Sequence, residues 1–294
     1  MSEPVKLHAR LAAPIDTVRR AITDAAALRV WLAEHAEVEL PGRYEFWGRY
    51  TPDGDVPHQR PLHVDDDTLR LAWVLDGVET TTEFQLRAES PESTVITLSQ
   101  SHFSFEEAIS GTGGIRGVLQ TFWSLSIANL AAHLEGRELL PKVDFTSADF
   151  RGEMLIDAPA AKVYESLTDS EQTSAWFGFP IGIEPWVGGR YAMGGFDDGY
   201  AAKVVDLDPG RKVSVDWGPT GVTTWELAES GGKTKLTFVQ SGFDEANPPY
   251  AAWAGSVAGL AELRRYHEMK DWQPIWLGVD MPGAEQAEAA TTAG

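Results

Sequence analysis

The chain has 294 residues, a length that one hydrophobic core rarely supports, so the sequence favours two domains. Acidic residues outnumber basic ones by 44 to 24, and the formal net charge of -20 argues against nucleic acid or an anionic membrane surface as a partner. The sequence contains no cysteine, which excludes disulfides, thiolate nucleophiles and metal sites with cysteine ligands.

The N-terminal sequence and the hydropathy of the chain bear on its cellular compartment, and the C-terminal composition bears on order. The N-terminal residues are charged and lack the apolar stretch of a secretory signal, and no run of about 18 apolar residues could span a membrane. We therefore expect a cytoplasmic protein. Residues 281–294 are rich in Ala, Glu and Thr, a composition that predicts a disordered tail.

The sequence repeats itself once, in the same order and at nearly constant spacing. The clearest matches are Ala-Pro at 13–14 and 158–159, Gly-Arg-Tyr at 42–44 and 189–191, and TVITLSQSHF at 94–103 against TKLTFVQSGF at 234–243. The repeat predicts one domain over residues 1–140 and a second over 149–280, joined by a linker over 141–148.

Each copy shows the same predicted elements in chain order. An alternating strand opens it (5–11 and 150–156), and two short helices follow a proline. Asp24 and Ser170 are the predicted N-caps of the second short helix in each copy. Several short strands separated by Asp-Gly, Pro-Gly and Gly-Gly turns come next, and one long helix closes the copy (115–135 and 249–270).

This pattern predicts an α+β fold with two helix-grip domains, each a curved antiparallel sheet wrapped around its long C-terminal helix. The order of elements, the Ala-Pro opening, the tryptophan near the end of the second short helix, the Gly-Arg-Tyr strand and the tryptophan and leucine of the last helix resemble the START-like (SRPBCC, Bet v-like) superfamily. The branch that it resembles most is named after activators of the ninety-kilodalton heat-shock chaperone. The resemblance covers nearly all of residues 5–276, twice.

The resemblance implies an enclosed apolar ligand and leaves the function open, because its motifs are structural rather than catalytic. Members of the superfamily include lipid carriers, polyketide cyclases, hormone and alkaloid binders, chaperone activators and enediyne self-resistance proteins. No catalytic residue, metal or cofactor is predicted: the seven histidines are scattered, do not recur between the copies and lack metal-binding spacing.

An aromatic wall with one glutamine in each copy is the predicted ligand site, because flat rings stack well and a polar group can orient the ligand. The alternative is that these rings simply fill a core. The predicted site residues are Trp31, Phe46, Trp73, Phe84, Gln100, Phe103 and Trp123 in the first copy, and Trp176, Tyr191, Trp217, Trp225, Gln240, Phe243 and Trp253 in the second. Gln100 and Phe103 cannot both point inward on a regular strand, so either a bulge is present or one assignment is wrong.

Three functions remain open from the sequence. The leading hypothesis is binding or sequestration of a hydrophobic, aromatic or polycyclic small molecule, in natural-product biosynthesis or self-resistance. The alternatives are a didomain polyketide aromatase or cyclase and a chaperone-activating interaction module. The copies share fold-making residues while their polar positions mostly differ, so at most one copy is expected to hold the working site. The segment 271–276 is predicted to cover a cavity mouth or a seam between domains, and the oligomeric state stays open.

Overall fold

A computed structural model describes residues 3–110, 114–197 and 200–283 of the chain. The chain divides into two compact units: the first takes the described residues of Met1–Thr146, Tyr250–Gly255 and Ile275–Gly294, and the second takes those of Ser147–Pro249 and Ser256–Pro274. Each unit has an antiparallel sheet and a pair of short helices, so the predicted α+β class is confirmed. Most of the predicted tail, residues 284–294, lies outside the described residues.

Within its described residues, the first copy contains seven strands and four helices between Val5 and Leu134. In chain order they are β1 (Val5–Leu11), α1 (Ile15–Thr23), α2 (Ala25–Trp31), β2 (His35–Glu39), β3 (Arg43–Trp47), β4 (Gln59–Val64), β5 (Thr68–Leu75), β6 (Val78–Ser90), β7 (Ser93–Gln100), α3 (Phe105–Ser110) and α4 (Ile115–Leu134). β1, β7, β6, β5 and β4 are neighbours in that order, while β2 and β3 form a separate hairpin. The side-chain oxygen of Gln59 accepts the Phe46 N–H at 3.1 Å, which joins β3 to β4.

The second copy repeats this order in a continuous sheet. Its elements are β8 (Phe150–Ile156), α5 (Ala160–Thr168), α6 (Ser170–Phe177), β9 (Ile181–Ile183), β10 (Arg190–Met193), β11 (Tyr200–Asp208), β12 (Lys212–Asp216), a single 3₁₀ turn (Gly218–Thr220), β13 (Val222–Ser230), β14 (Lys233–Ser241) and α7 (Tyr250–Glu268). The seven strands are ordered β8, β14, β13, β12, β11, β10, β9. The strand order of the first copy is therefore kept.

The short helices begin at equivalent aspartates in the two copies. Asp24 caps α2, since its side chain accepts the Ala27 N–H, and this prediction is confirmed. In the second copy the predicted cap Ser170 is wrong: the side chain of Asp169 accepts the Gln172 N–H, and Ser170 is the first residue of α6. The carboxylate one residue earlier is in the right place to pair a free N–H of the first turn.

The last strand of the chain, β15 (Trp276–Asp280), lies in the sheet of the first unit. It pairs antiparallel with β1, with Leu7 opposite Val279, and the Arg10 N–H donates to the carbonyl of Ile275 at 2.6 Å. The sequence groups residues 149–280 into the second domain, but these five residues extend the first sheet to six strands. The added strand covers the edge of β1, which would otherwise present unpaired backbone groups.

Gln100 and Phe103 are both buried, which answers the alternation problem of the sequence. β7 ends at Gln100, and His102 takes a left-handed conformation with φ of 69°. The reversal turns Phe103 back, so its ring is 3% exposed while Gln100 is fully buried. Among the described residues, no helix combines the length and apolarity needed to cross a membrane.

Candidate ligand site

The buried face of the first copy is filled by its own aromatic rings. Trp123 of α4 lies 6.0 Å from Trp73, 5.5 Å from Phe84 and 4.9 Å from Phe122, measured between ring centroids. Phe46 stands edge-on to Trp73 at 5.1 Å. All five side chains are at most 3% exposed. These rings occupy the space between sheet and helix where a ligand would lie.

Gln100 is the polar member of the first copy, and its amide is paired at both ends. Its Oε1 accepts hydrogen bonds from Thr82 Oγ1 at 2.6 Å and from Trp123 Nε1 at 3.1 Å. Its Nε2 donates to the carbonyl of Ser101 at 2.9 Å. A buried amide satisfied in this way stabilises the core and leaves no group to receive a ligand.

The aromatic group of the second copy includes a ring that is only half-buried. Tyr191 of β10 stacks on Trp225 of β13 with ring centroids 6.3 Å apart and an interplanar angle of 26°. Trp217 lies edge-on to Tyr191 at 5.6 Å and is only half-buried. We call Tyr191, Trp217, Trp225 and Gln240 the second-copy site. It combines a stacked pair of rings with a third ring that is partly exposed.

Two buried polar atoms of the second-copy site have no hydrogen-bond partner. Gln240 donates from Nε2 to the carbonyl of Thr220 at 2.6 Å, but its Oε1 is buried and unpaired. The Nε1 of Trp225 is likewise buried and unpaired. Trp225 is 7% exposed and Gln240 is 4% exposed. Leaving such a group unpaired costs about 1–3 kcal/mol, which a suitable ligand atom would recover.

The strand register shows that these residues occupy equivalent places in the two sheets. Thr82 lies opposite Gln100 in the first copy, and Thr223 lies opposite Gln240 in the second. Phe84 opposite Leu98 corresponds in the same way to Trp225 opposite Phe238. One buried donor of the first copy, Trp73 Nε1, is also unpaired, but its ring is enclosed by Phe46, Phe122 and Trp123.

The remaining predicted site residues have separate places. Trp31 and Trp176 each donate Nε1 to a carbonyl of the preceding helix, at 2.9 Å to Ala21 and 2.7 Å to Ser166, so they fasten the helix pairs. Phe243 is half-buried and packs on Phe150 at 5.2 Å. Trp253 is buried in α7.

Sequence reasoning did not single out Phe122, Thr82 and Thr220. Phe122 fills the space beside Trp73, Thr82 pairs Gln100, and the carbonyl of Thr220 holds the amide of Gln240. Thr82 could have been found from its position opposite Gln100 in the predicted sheet. Thr220 could not, because it acts through its backbone in a loop.

The second-copy site holds one ionisable side chain, Tyr191. Burial raises the pKa of its phenol, so the group stays protonated and neutral around pH 7. In the part of the chain that the structure describes, no cluster of three or more His, Asp or Glu side chains could hold a metal ion. The site therefore offers stacking surfaces and neutral hydrogen-bonding groups.

The fold and this site define a tandem helix-grip protein. The family model described as "Activator of Hsp90 ATPase homolog 1-like protein" matches residues 12–135 and again residues 157–268. The chain belongs to this family, and the two matched segments are the two copies. A search of the curated proteins finds no match.

Several solved structures are similar to one half or to most of this chain. The conserved protein of unknown function EF2215 from Enterococcus faecalis is 24% identical, with a TM-score of 0.38, and the match covers 49% of this chain and 84% of that one. DynU16, described as a putative protein in the dynemicin biosynthetic locus, is 19% identical with a TM-score of 0.38, covering 91% and 100% of the two chains. The di-domain ARO/CYC BexL from the BE-7585A biosynthetic pathway is 16% identical with a TM-score of 0.35, covering 90% and 98%.

Proposed function

We propose that the second copy binds a flat, hydrophobic, aromatic small molecule and that the first copy is a closed structural partner. The observation that carries this proposal is the pair of unpaired buried atoms, Trp225 Nε1 and Gln240 Oε1, in a site that opens at Trp217. The equivalent glutamine of the first copy, Gln100, is saturated by its neighbours. A polycyclic ring system suits the stacked pair of Tyr191 and Trp225, because large flat surfaces bury much area at small entropic cost.

Binding or sequestration accounts for the site better than catalysis does. An aromatase or cyclase moves protons and needs a group that can take one near neutral pH. The raised pKa of Tyr191 makes its phenol a donor and a poor base. We therefore propose a carrier or sequestering protein for an aromatic natural product, with a role in biosynthesis or self-resistance. Turnover of a polyketide thioester by the protein would overturn this choice.

Titration of tryptophan fluorescence tests the binding proposal. The probe is anthracene, and stearate serves as a saturated comparison. We expect saturable quenching by anthracene that weakens at least tenfold in Trp217→Ala, since this ring forms the open side of the site. The matched control is Trp186→Ala, which removes another tryptophan of the same unit, 57% exposed and outside the aromatic group. Absence of quenching, or loss of binding in Trp186→Ala instead of Trp217→Ala, would contradict the proposal.

A further inference from the structure

The hydrogen bond from Gln240 to Thr220 identifies the unpaired end of the Gln240 amide as its oxygen, an acceptor. A carbonyl oxygen only accepts hydrogen bonds, so the amide end facing the carbonyl of Thr220 at 2.6 Å must be Nε2. Reversing the amide would set two oxygens against each other. The buried and unpaired atom is therefore Oε1, which accepts hydrogen bonds and cannot donate them.

Trp225 supplies an unpaired hydrogen-bond donor on the same face of the sheet. The indole nitrogen only donates, and in Trp225 it is buried without a partner. β13 buries Thr223, Trp225 and Leu227 alternately, and β14 buries Phe238 and Gln240 on the same face. Since Gln240 lies opposite Thr223, Trp225 is its diagonal neighbour, with backbones about 7–8 Å apart. The two residues are therefore close enough on one face for a single ring system to contact both.

The stacked tyrosine restricts how a ligand can approach these atoms. The ring of Tyr191 lies nearly parallel to that of Trp225, so one face of the indole is already occupied. The N–H points outward in the plane of the indole ring and is met by a group at the edge of a ligand rather than by its face. A carbonyl at the edge of a flat ring system meets this requirement.

In the first copy the equivalent positions offer neither an unpaired donor nor an unpaired acceptor. Phe84 replaces Trp225 and has no N–H, and Gln100 Oε1 already accepts from Thr82 and Trp123. In the second copy Thr223 lies opposite the glutamine as Thr82 does, yet Gln240 Oε1 stays unpaired. The glutamine oxygen is therefore unpaired in the second copy, whereas the equivalent oxygen in the first copy accepts two hydrogen bonds.

We infer that the second-copy site recognises an aromatic ligand that carries a carbonyl and a separate hydroxyl at its edge, as hydroxyquinones do. Trp225 Nε1 donates to the ligand carbonyl, and the ligand hydroxyl donates to Gln240 Oε1. The inference rests on the proposed function and specifies its ligand class. A ring system without these groups leaves both protein atoms unpaired and binds more weakly.

Three probes of similar shape separate the two hydrogen bonds. Anthracene has neither group, anthraquinone has only the carbonyl, and β-hydroxyanthraquinone has both, with its hydroxyl too far from the carbonyl to bond internally. Measured at slightly acidic pH, which keeps the hydroxyl protonated, affinities should rise in that order by about three- to tenfold per group.

Two variants assign each step to its residue. Trp225→Phe keeps a ring and removes the N–H, so its loss of affinity should be about three- to tenfold larger for both quinones than for anthracene. Gln240→Met keeps the length of the side chain and removes the acceptor, so it should weaken β-hydroxyanthraquinone about three- to tenfold more than it weakens the other two probes. Gln100→Met is the matched control in the first copy and should alter none of the three affinities.

The outcomes separate this inference from the proposed function. Equal affinity for all three probes, or a Trp225→Phe effect no larger on the quinones than on anthracene, would overturn the inference while anthracene binding still supports the function. No binding of any probe would overturn both. If Gln240→Met does not fold, the probe series on the unaltered protein together with Trp225→Phe decides the question.

Discussion

Gly152 of β8 lies directly opposite Phe238 of β14, and the phenylalanine ring occupies the space that a Cβ at Gly152 would take. At the equivalent place in the first sheet Leu7 of β1 faces Leu98 of β7. Two medium-sized side chains in one copy are thus replaced by a small and a large residue in the other. The buried Phe238 ring packs directly against the backbone of Gly152, as a densely packed interior requires.

Gly152→Ala should lower the free energy of unfolding by about 1–3 kcal/mol, because the added methyl overlaps the Phe238 ring and the sheet must deform. The measurement is urea unfolding followed by circular dichroism. The double variant Gly152→Leu with Phe238→Leu recreates the pair of the first sheet. It should be more stable than the sum of its two single variants predicts, and strict additivity would count against this packing.

Gly242→Ala tests the turn that follows β14. Gly242 has φ of 74°, and an added Cβ there meets no atom within 4 Å, so only backbone strain changes. We expect a loss of about 1–2 kcal/mol in the free energy of unfolding. The equivalent residue in the first copy is His102 with φ of 69°. The His102 imidazole also lies 3.5 Å from the carboxylate of Asp76, a contact that His102→Gly and His102→Ala both lose. His102→Gly should therefore be more stable than His102→Ala, and equal stability of the two variants would refute the strain account.

Lys142 predicts a pH dependence of stability. Its ammonium donates to the carbonyls of Arg29 and Ala33 at 3.1 and 3.2 Å, and burial lowers its pKa from 10.5 to about 8. Between these values the unfolded chain still holds the proton that the folded chain has released, so unfolding takes up a proton and stability rises with pH.

Urea unfolding from about pH 7 to about pH 10 should show this rise in the unaltered protein relative to Lys142→Met, in which the group is absent. The difference in free energy of unfolding between the two proteins is the quantity to compare, because all other titrating groups are shared. A difference that stays flat across this range would show that the pKa of Lys142 is unchanged by folding.

The covering of β1 by β15 predicts the exchange behaviour of single amides. The Arg10 N–H donates to Ile275, whereas Ala9, its neighbour on the alternating strand, faces β7. A chain ending at Pro274 should lose hydrogen-exchange protection at Arg10 and keep it at Ala9. A chain ending at Met281 retains β15 and is the control. Unchanged protection at Arg10 in the shorter chain would contradict the pairing.

Much of the fold could be predicted because it rests on local signals. The alternating strands and the turn glycines are recognised from residues close together along the chain. The predicted opening strands over Val5–Leu11 and Phe150–Ile156 are found with those bounds. The pairing of β15 with β1 could not be predicted, because nothing in its five residues specifies a partner strand more than two hundred and sixty residues away. Strand pairing over such sequence separations depends on the tertiary structure rather than on local sequence.

The residues of the site could be predicted from the sequence, but the difference in hydrogen bonding between the two copies could not. Matching segments placed Gln100 and Gln240, and Phe84 and Trp225, at equivalent positions. Whether each glutamine oxygen is paired depends on the reach of Trp123 in one copy and on the backbone of Thr220 in the other. The position of the Trp123 ring and that of the Thr220 carbonyl depend on how a helix and a loop pack in the folded protein, which a sequence pattern does not specify.

The central claim, that the second copy binds the ligand and the first does not, is tested most directly by fluorine NMR of protein labelled with fluorotryptophan. Each resonance is assigned by a single Trp→Phe variant, and β-hydroxyanthraquinone is then added. We predict that the resonances of Trp217 and Trp225 shift while those of Trp73 and Trp123 stay in place. Shifts at Trp73 and Trp123, with Trp217 and Trp225 unmoved, would contradict the account.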